Sequence, residues 1–160
     1  MDTARDTDII ALYNSINRDP DYLEGPKDQL FFETPLHRAA SEGHTRLALE
    51  ILRLKPSLGK NLNLHGLSPL DMALRNNHTA TVKGLIRYDP ELIRVQGRGG
   101  ITPLHYVVEM EIIDLLTRFL LECPSSINDL TVRQETAVHI AVRKRKSTAF
   151  EVLLGWIMRT

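Results

Sequence analysis

The sequence predicts an all-α solenoid of stacked helix-turn-helix units joined by short finger turns. A four-residue pattern recurs in this chain at steps of 34 residues, beginning at Thr34, Ser68, Thr102 and Thr136. Its first copy reads Thr-Pro-Leu-His, and the fourth has diverged to Thr-Ala-Val-His. A second landmark, a proline 22 residues after the pattern begins, recurs in step at Pro56, Pro90 and Pro124. Self-similarity at one fixed period is the signature of a repeat architecture.

The first helix of each unit is expected to begin at the recurring pattern. Thr or Ser is a favoured N-cap, and proline is favoured directly after it, where no backbone N–H is needed. The following leucine is expected to point inward. The fourth place holds His37, Asp71, His105 and His139. An imidazole there can bond the N-cap hydroxyl and a nearby backbone carbonyl, and Asp71 can bond the Ser68 hydroxyl, so we assign these residues a structural role.

The second helix of each unit is expected where an apolar run precedes the recurring proline. These runs are residues 47–54, 82–86 and 112–121. Proline commonly follows a helix end, so a proline-bounded loop should lead to the next unit. Gly43 and Asn77 stand at the turns between the paired helices and tolerate a left-handed backbone. Glu111 and Arg145 depart from that pattern.

The predicted domain organisation has an N-terminal cap followed by about four repeats. Residues 1–29 contain a capping helix over 7–18 and a polar stretch centred on Gly25-Pro26. The repeats are assigned to residues 30–63, 64–97, 98–131 and 132–160. The last predicted helix, over 148–160, is apolar over much of its surface. A terminal repeat normally has a polar outer face, so we expect the chain to be a fragment of a longer protein.

Composition excludes several classes of function. The chain has 160 residues, 42% hydrophobic and 25% charged, with 20 basic and 20 acidic side chains and a formal net charge of +0. That balance argues against non-specific nucleic-acid binding. The single cysteine, Cys123, excludes an intrachain disulfide and a cysteine-rich metal site. No signal peptide, no apolar span of about 18 residues and no converging catalytic set is recognisable. We expect no enzyme activity, no cofactor and no metal.

The period and the Thr-Pro-Leu-His-x-Ala motif resemble the ankyrin repeat over about residues 30–160. Narrower segments are similar to plant ankyrin proteins that carry a C-terminal transmembrane PGG domain. These segments are residues 33–45, 54–58, 89–92, 135–142 and 150–156. The resemblance implies a role in immune and cell-death signalling, a cytosolic location at the inner face of the plasma membrane, and further repeats and membrane helices beyond residue 160.

The resemblance also implies where a protein partner binds. In ankyrin arrays the finger tips and the ends of the first helices line a concave face. By register, the tips are Leu30, Phe31, Glu33, Leu64, His65, Leu67, Arg98, Gly99, Ile101, Val132, Arg133 and Glu135. The helix ends are Ser41, Glu42, Arg75, Asn76, Glu109, Met110, Arg143 and Lys144. We expect a partner segment whose acidic part meets the third and fourth repeats and whose apolar part meets the first two. The alternative is that these positions are merely solvated.

Two charged or glycine-rich stretches have alternative interpretations. The run Arg143, Lys144, Arg145 and Lys146 falls in a turn between helices. It is a solvated turn, a contact for a partner or anionic lipid, or a nuclear-import signal. The stretch Gly97-Arg98-Gly99-Gly100 lacks the strand and spacing of a phosphate-binding loop, so it is interpreted as a tight finger turn.

The predicted function is a non-catalytic protein-interaction module of a membrane-anchored plant defence-signalling protein. Two alternatives remain at this point. The repeats could target a catalytic domain that lies beyond residue 160, or they could belong to a nuclear regulator.

Overall fold

The computed structural model describes residues 3–25 and 31–159, with side chains from residue 8 onward. Over these residues the chain contains helices and turns and no β-strand, which confirms the all-α prediction. Its α-helices, numbered α1 to α9 in chain order, are Thr3–Arg18, Pro35–Ser41, Thr45–Leu54, Pro69–Arg75, Thr79–Tyr88, Pro103–Glu109, Ile113–Glu122, Ala137–Arg143 and Ser147–Met158.

The helices belong to two compact modules, Met1–Tyr88 and Asp89–Thr160, which we call the N-module and the C-module. In the N-module α2 packs on α4, α3 packs on α5, and α1 covers the other side of α3. In the C-module α6 packs on α8 and α7 packs on α9. Within each module, therefore, first helices stack on first helices and second helices on second helices.

Each first helix begins at the predicted cap. The side chains of Thr34, Ser68, Thr102 and Thr136 accept a hydrogen bond from the backbone N–H three residues later. In return, the side chain at that third position accepts a bond from the N–H of the cap residue, which completes a capping box. The box satisfies backbone donors that the first turn leaves without intrahelical partners.

The leucine of the recurring pattern is buried in each of the three copies that have it. Leu36, Leu70 and Leu104 are at most 1% exposed. Val138 takes this place in the fourth copy and is only half-buried. The inward orientation predicted from the pattern is thus confirmed for the three leucines.

The turns between paired helices share one backbone conformation despite their different residues. Gly43 has a φ of 74°, and Asn77 has a φ of 62°. Glu111 and Arg145, which depart from the glycine or asparagine pattern, adopt φ values of 52° and 59°. These two residues therefore differ from the pattern in residue type but not in backbone conformation, because the stacking of each helix pair imposes the same turn.

The recurring prolines begin short helices where a plain loop was expected. Each starts one turn of 3₁₀ helix, at Pro56–Lys60, Pro90–Arg94 and Pro124–Asn128. These turns bury Leu58, Leu92 and Ile127. The first turn packs on α3 and α4, the second on α6 and α7, and the third on α7 and α8. The segment after each second helix is therefore part of the core.

The capping helix exists and is longer than predicted, because α1 begins at Thr3, four residues before the expected start at 7. Leu12 is buried against the repeats. The Tyr13 hydroxyl donates to the Glu50 carboxylate on α3, and Arg53 Nη2 donates to the Tyr13 hydroxyl at 3.1 Å. The polar stretch predicted after α1 is described only through Gly25. The repeat boundaries themselves remain a prediction.

The last helix exposes apolar side chains, as its composition predicts. Leu154 is 42% exposed, Ile157 44% and Met158 77%. Among the described helices, none combines the length and the hydropathy that a membrane span requires.

Candidate protein-interaction surface

The finger turns that precede three of the caps are closed by equivalent backbone hydrogen bonds. The N–H groups of Asn63, Gly97 and Thr131 donate to the carbonyls four residues later, at 2.9, 2.8 and 2.9 Å. A left-handed residue stands next to the end of each turn. These residues are Gly66, Gly100 and Gln134, with φ values of 75°, 74° and 64°. The three turns therefore share one closing hydrogen bond and one left-handed position at the same register, and the middle turn adds a second left-handed residue at Gly99.

In two of these turns a buried polar side chain accepts hydrogen bonds from the turn backbone, and we call these two the locked turns. The Asn63 side-chain oxygen accepts from the N–H groups of His65 at 2.9 Å and Leu67 at 3.1 Å. Thr131 Oγ1 accepts from the N–H groups of Arg133 at 3.2 Å and Glu135 at 3.3 Å. The predicted site did not include Asn63 or Thr131. Their signal was a polar residue with turn-forming chemistry five positions before the cap in two repeats.

The locked turns carry exposed apolar side chains at the residue after Asn63 and Thr131. Leu64 is 74% exposed and Val132 is 73% exposed. Arg98 has the same register in the third repeat and is also exposed, whereas Leu30 lies outside the described residues. Large apolar side chains held in water on rigid turns are suited to binding a partner.

Two histidines of the pattern join their first helices to the backbone that leads into the next repeat. The N–H of Thr34 donates to His37 Nδ1, so Nε2 carries the proton and donates to the carbonyl of Leu67 at 2.9 Å. His105 has the same bonding at Nδ1, but its Nε2 lies 3.0 Å from the carbonyl of Asp129, two residues before the finger turn that begins at Thr131. Burial lowers the pKa of both imidazoles, which favours the neutral form this bonding requires. These bonds support the predicted structural role.

The other two residues at this register differ from the buried histidines. Asp71 Oδ2 accepts from the N–H of Ser68 at 3.0 Å and from its hydroxyl at 3.1 Å, and burial raises the pKa of this carboxyl. His139 Nδ1 accepts from the N–H of Thr136 at 3.0 Å, but its side chain is exposed. Asp71 therefore completes its capping box without extending to a finger turn.

The predicted positions at the ends of the first helices are largely accessible. Glu42, Arg75, Asn76 and Met110 are exposed, and Met110 reaches 55%. Ser41 is half-buried. Among the tip positions, Phe31, Glu33 and His65 are exposed, whereas Leu67 and Ile101 are half-buried. The predicted set thus contains both accessible side chains and side chains that partly support the turns.

Two of the basic side chains of the fourth repeat are paired with carboxylates. Arg143 donates to the Glu135 carboxylate from Nε at 2.6 Å and from Nη2 at 3.0 Å, and these bonds lower the pKa of Glu135. Lys144 Nζ lies 3.2 Å from Glu109 Oε1. Arg133 makes no ion pair within the described part of the chain. The basic surface expected here is therefore weaker than the sequence indicates, and Arg133 is an accessible cation on the finger turn.

The glycine-rich stretch before the third cap is a finger turn. Gly99 has a φ of 73°, and its carbonyl accepts from the N–H of Val132 at 2.9 Å. A Cβ at Gly100 would lie 2.8 Å from the Val132 nitrogen, so only glycine fits there. Across residues 3–25 and 31–159, no three His, Cys, Asp or Glu residues are grouped to hold a metal ion.

Comparison with known proteins identifies the repeat. The family model described as ankyrin repeats (3 copies) matches residues 11–94, slightly more than half of the chain. The chain is 46% identical to the ankyrin repeat-containing protein BDA1 of Arabidopsis thaliana over 57 residues, which cover 36% of this chain and 13% of that protein.

Two further relatives are similar over longer segments. The chain is 31% identical to the nuclear factor NF-kappa-B p105 subunit of Mus musculus over 121 residues, covering 74% of this chain and 12% of that protein. It is 36% identical to the SMC5-SMC6 complex localization factor protein 1 of Bos taurus over 80 residues, covering 49% of this chain and 8% of that protein. The chain thus spans about an eighth or less of these relatives. Its capping boxes, left-handed turns, finger geometry and family match together place it in the ankyrin-repeat family, whose repeats are protein-interaction modules.

Proposed function

We propose that this chain is a non-catalytic module that binds a protein partner through its finger tips and the ends of its first helices. The observation that carries the proposal is the pair of exposed apolar side chains, Leu64 and Val132, on turns locked by Asn63 and Thr131. A rigid turn loses little conformational entropy on binding, so its apolar side chain contributes more of its burial to affinity.

The proposed partner segment carries apolar residues for the tips and acidic residues for the C-module. Val132 and Arg133 are adjacent on one turn, so an apolar contact and a charge contact are available together. Arg143 and Lys144 can bind the partner's acidic residues only if those residues displace Glu135 and Glu109 from their ion pairs. We therefore place the electrostatic part of recognition mainly on Arg133, with the predicted concave face as the binding side.

The proposed cellular setting is the cytosolic side of a membrane-anchored plant defence-signalling protein of the PGG type. The similarity to the Arabidopsis ankyrin repeat-containing protein supports a plant setting. Arg143 ends α8, and Lys144, Arg145 and Lys146 form the turn before α9; together they would add contact with anionic lipid.

A nuclear regulator is the second candidate, favoured by similarity to a protein named a nuclear factor subunit. The third, a targeting domain attached to a catalytic domain, would place the chemistry outside these residues.

The experiment for the interaction function is affinity capture from native tissue with the intact protein carrying Leu64→Glu or Val132→Glu. Leu121→Glu is the matched control, because Leu121 is 60% exposed on α7, away from the finger turns. The partner is expected to be lost with either tip variant and retained with the control.

A binding titration with the recovered partner then distinguishes the contribution of Arg133 from that of Arg143. Arg133→Glu should weaken binding more than Arg143→Glu, since Arg143 already pairs with Glu135. Capture that is unaffected by all tip and charge variants would refute the finger-tip site.

A further inference from the structure

A groove lies on the second-helix side of the N-module, away from the finger turns. It is bounded by α1, α3 and α5 and has a volume of about 530 Å³. Ile9, Leu49 and Tyr88 supply its apolar lining, and Gly84 lies between them on α5. Its volume falls in the range of roughly 300–1,000 Å³ that is common for ligand-binding pockets.

Gly84 keeps this groove open. A Cβ built on Gly84 would lie 3.4 Å from Leu49 Cδ1 and 3.5 Å from Thr45 Cγ2, so any larger side chain would occupy the space. Gly84 is inside α5, where glycine costs about 1 kcal/mol relative to alanine and no turn requires it. The residues at the same register in the neighbouring repeats are Glu50 and Arg118. The opening is therefore specific to the second repeat.

The rim of the groove is positively charged. Arg46, Arg53 and Arg87 line it together with one acid, Glu50, for a formal charge of +2 in a chain whose net charge is +0. Glu50 is already engaged, because Arg53 donates to it from Nε at 3.0 Å and from Nη2 at 2.8 Å. A cationic rim around an apolar floor is complementary to an acidic ligand that also carries an apolar group.

We propose that this groove binds an acidic peptide segment of a partner protein, with one large apolar side chain seated over Gly84 between Ile9 and Leu49. Carboxylates on either side of that residue pair with the arginines of the rim. The apolar residue contributes most of the affinity and the charges orient the segment. This site is separate from the finger tips and does not depend on the function proposed for them.

The test is selection of short random peptides displayed on phage against the intact protein. The enriched peptides are expected to share an apolar residue flanked by Asp or Glu. Gly84→Leu fills the groove and Arg87→Glu reverses part of its rim, so each should weaken the selected peptide by about tenfold or more. Arg118→Glu is the matched control, since it makes the same charge change on α7, and it should leave binding unchanged.

Two further measurements make the result decisive. Amide chemical shifts on adding the selected peptide should change at Leu49, Gly84 and Tyr88, and thermal unfolding should show that each variant is folded. Leu64→Glu should leave peptide binding intact, which separates this site from the finger tips. The proposal is overturned if no Gly84-dependent peptide is enriched, if the shifts map elsewhere, or if replacing the peptide's apolar residue with Ala costs no affinity.

Discussion

The Glu111 carboxylate accepts a hydrogen bond from the backbone N–H of Thr148 at 3.1 Å, and the same oxygen accepts from the N–H of Ala149 at 3.2 Å. Glu111 lies in the turn between α6 and α7, whereas Thr148 lies in the first turn of α9. Lys146, the N-cap of α9, makes no side-chain capping bond. The helix is thus capped by a residue of the preceding repeat, which explains why a left-handed turn position holds glutamate.

Replacing Glu111 with Ala should destabilise the protein by about 1 kcal/mol, the usual cost of losing a cap. Glu111→Gln keeps an oxygen acceptor and should lose less, since only the charge near the helix N-terminus is removed. Urea unfolding of both variants measures the difference. Equal stability of the Ala variant and the unmodified protein would show that the cap contributes nothing.

Arg145→Gly should stabilise the protein by about 1 kcal/mol. Arg145 has a φ of 59°, a conformation that is strained for residues with a Cβ and free of strain for glycine. The gain is reduced by the greater freedom of glycine in the unfolded chain. Arg145→Ala is the control, because it removes the charge but keeps the Cβ. If the Ala variant gains as much as the Gly variant in thermal unfolding, backbone strain is not the cause.

Leu104→Ala should cost about 2–5 kcal/mol, because this side chain is 0% exposed and its loss leaves a cavity. Val138→Ala, at the same register of the fourth repeat, should cost only about 1 kcal/mol because Val138 is half-buried. Chemical denaturation compares the two midpoints. An unshifted midpoint for the Leu104 variant would contradict the packing described for α6.

Stability should fall as pH falls below about 6.5, the ordinary pKa of histidine. Burial lowers the pKa of His37 and His105 in the folded state, so the unfolded chain binds more protons in this range. Protonation therefore favours unfolding, and the stability present above pH 6.5 is lost on acidification. Asp71 has the opposite effect on stability. Burial raises the pKa of its carboxyl, so the folded state binds more protons than the unfolded chain and acidification favours folding at this residue.

The measurement is urea unfolding at pH 7.5 and 5.5, conditions on either side of the histidine pKa of about 6.5. His105→Gln should reduce the loss of stability between the two conditions. His65→Gln is the control, because His65 is an exposed side chain on a finger turn. An unchanged pH dependence in the His105 variant would exclude this histidine as a source of the acid sensitivity.

The helix starts could be predicted from sequence because their causes are local. The hydroxyl of Thr102, the proline after it and the imidazole of His105 lie within four residues, and their chemistry alone completes a capping box. The finger locks were harder to predict. Asn63 and Thr131 are different residue types that accept hydrogen bonds from equivalent N–H groups in their own turns, so an amino-acid pattern alone did not identify them.

The binding residues were less predictable than the fold, because exposure and pairing depend on distant parts of the chain. Register placed Leu64 and Leu67 in one set, but Leu64 is 74% exposed and Leu67 is half-buried. Register also placed Arg143 and Arg133 together, but only Arg143 pairs with Glu135.

The sequence by itself determined the repeat period, the helix order and the buried leucines, since capping, backbone preference and hydrophobicity act over a few residues. Only the tertiary structure decided which charges remain accessible, how Glu111 caps α9, and where Gly84 leaves a groove. Each of these depends on distances between residues separated by a repeat or more, and such distances exist only once the helices are stacked.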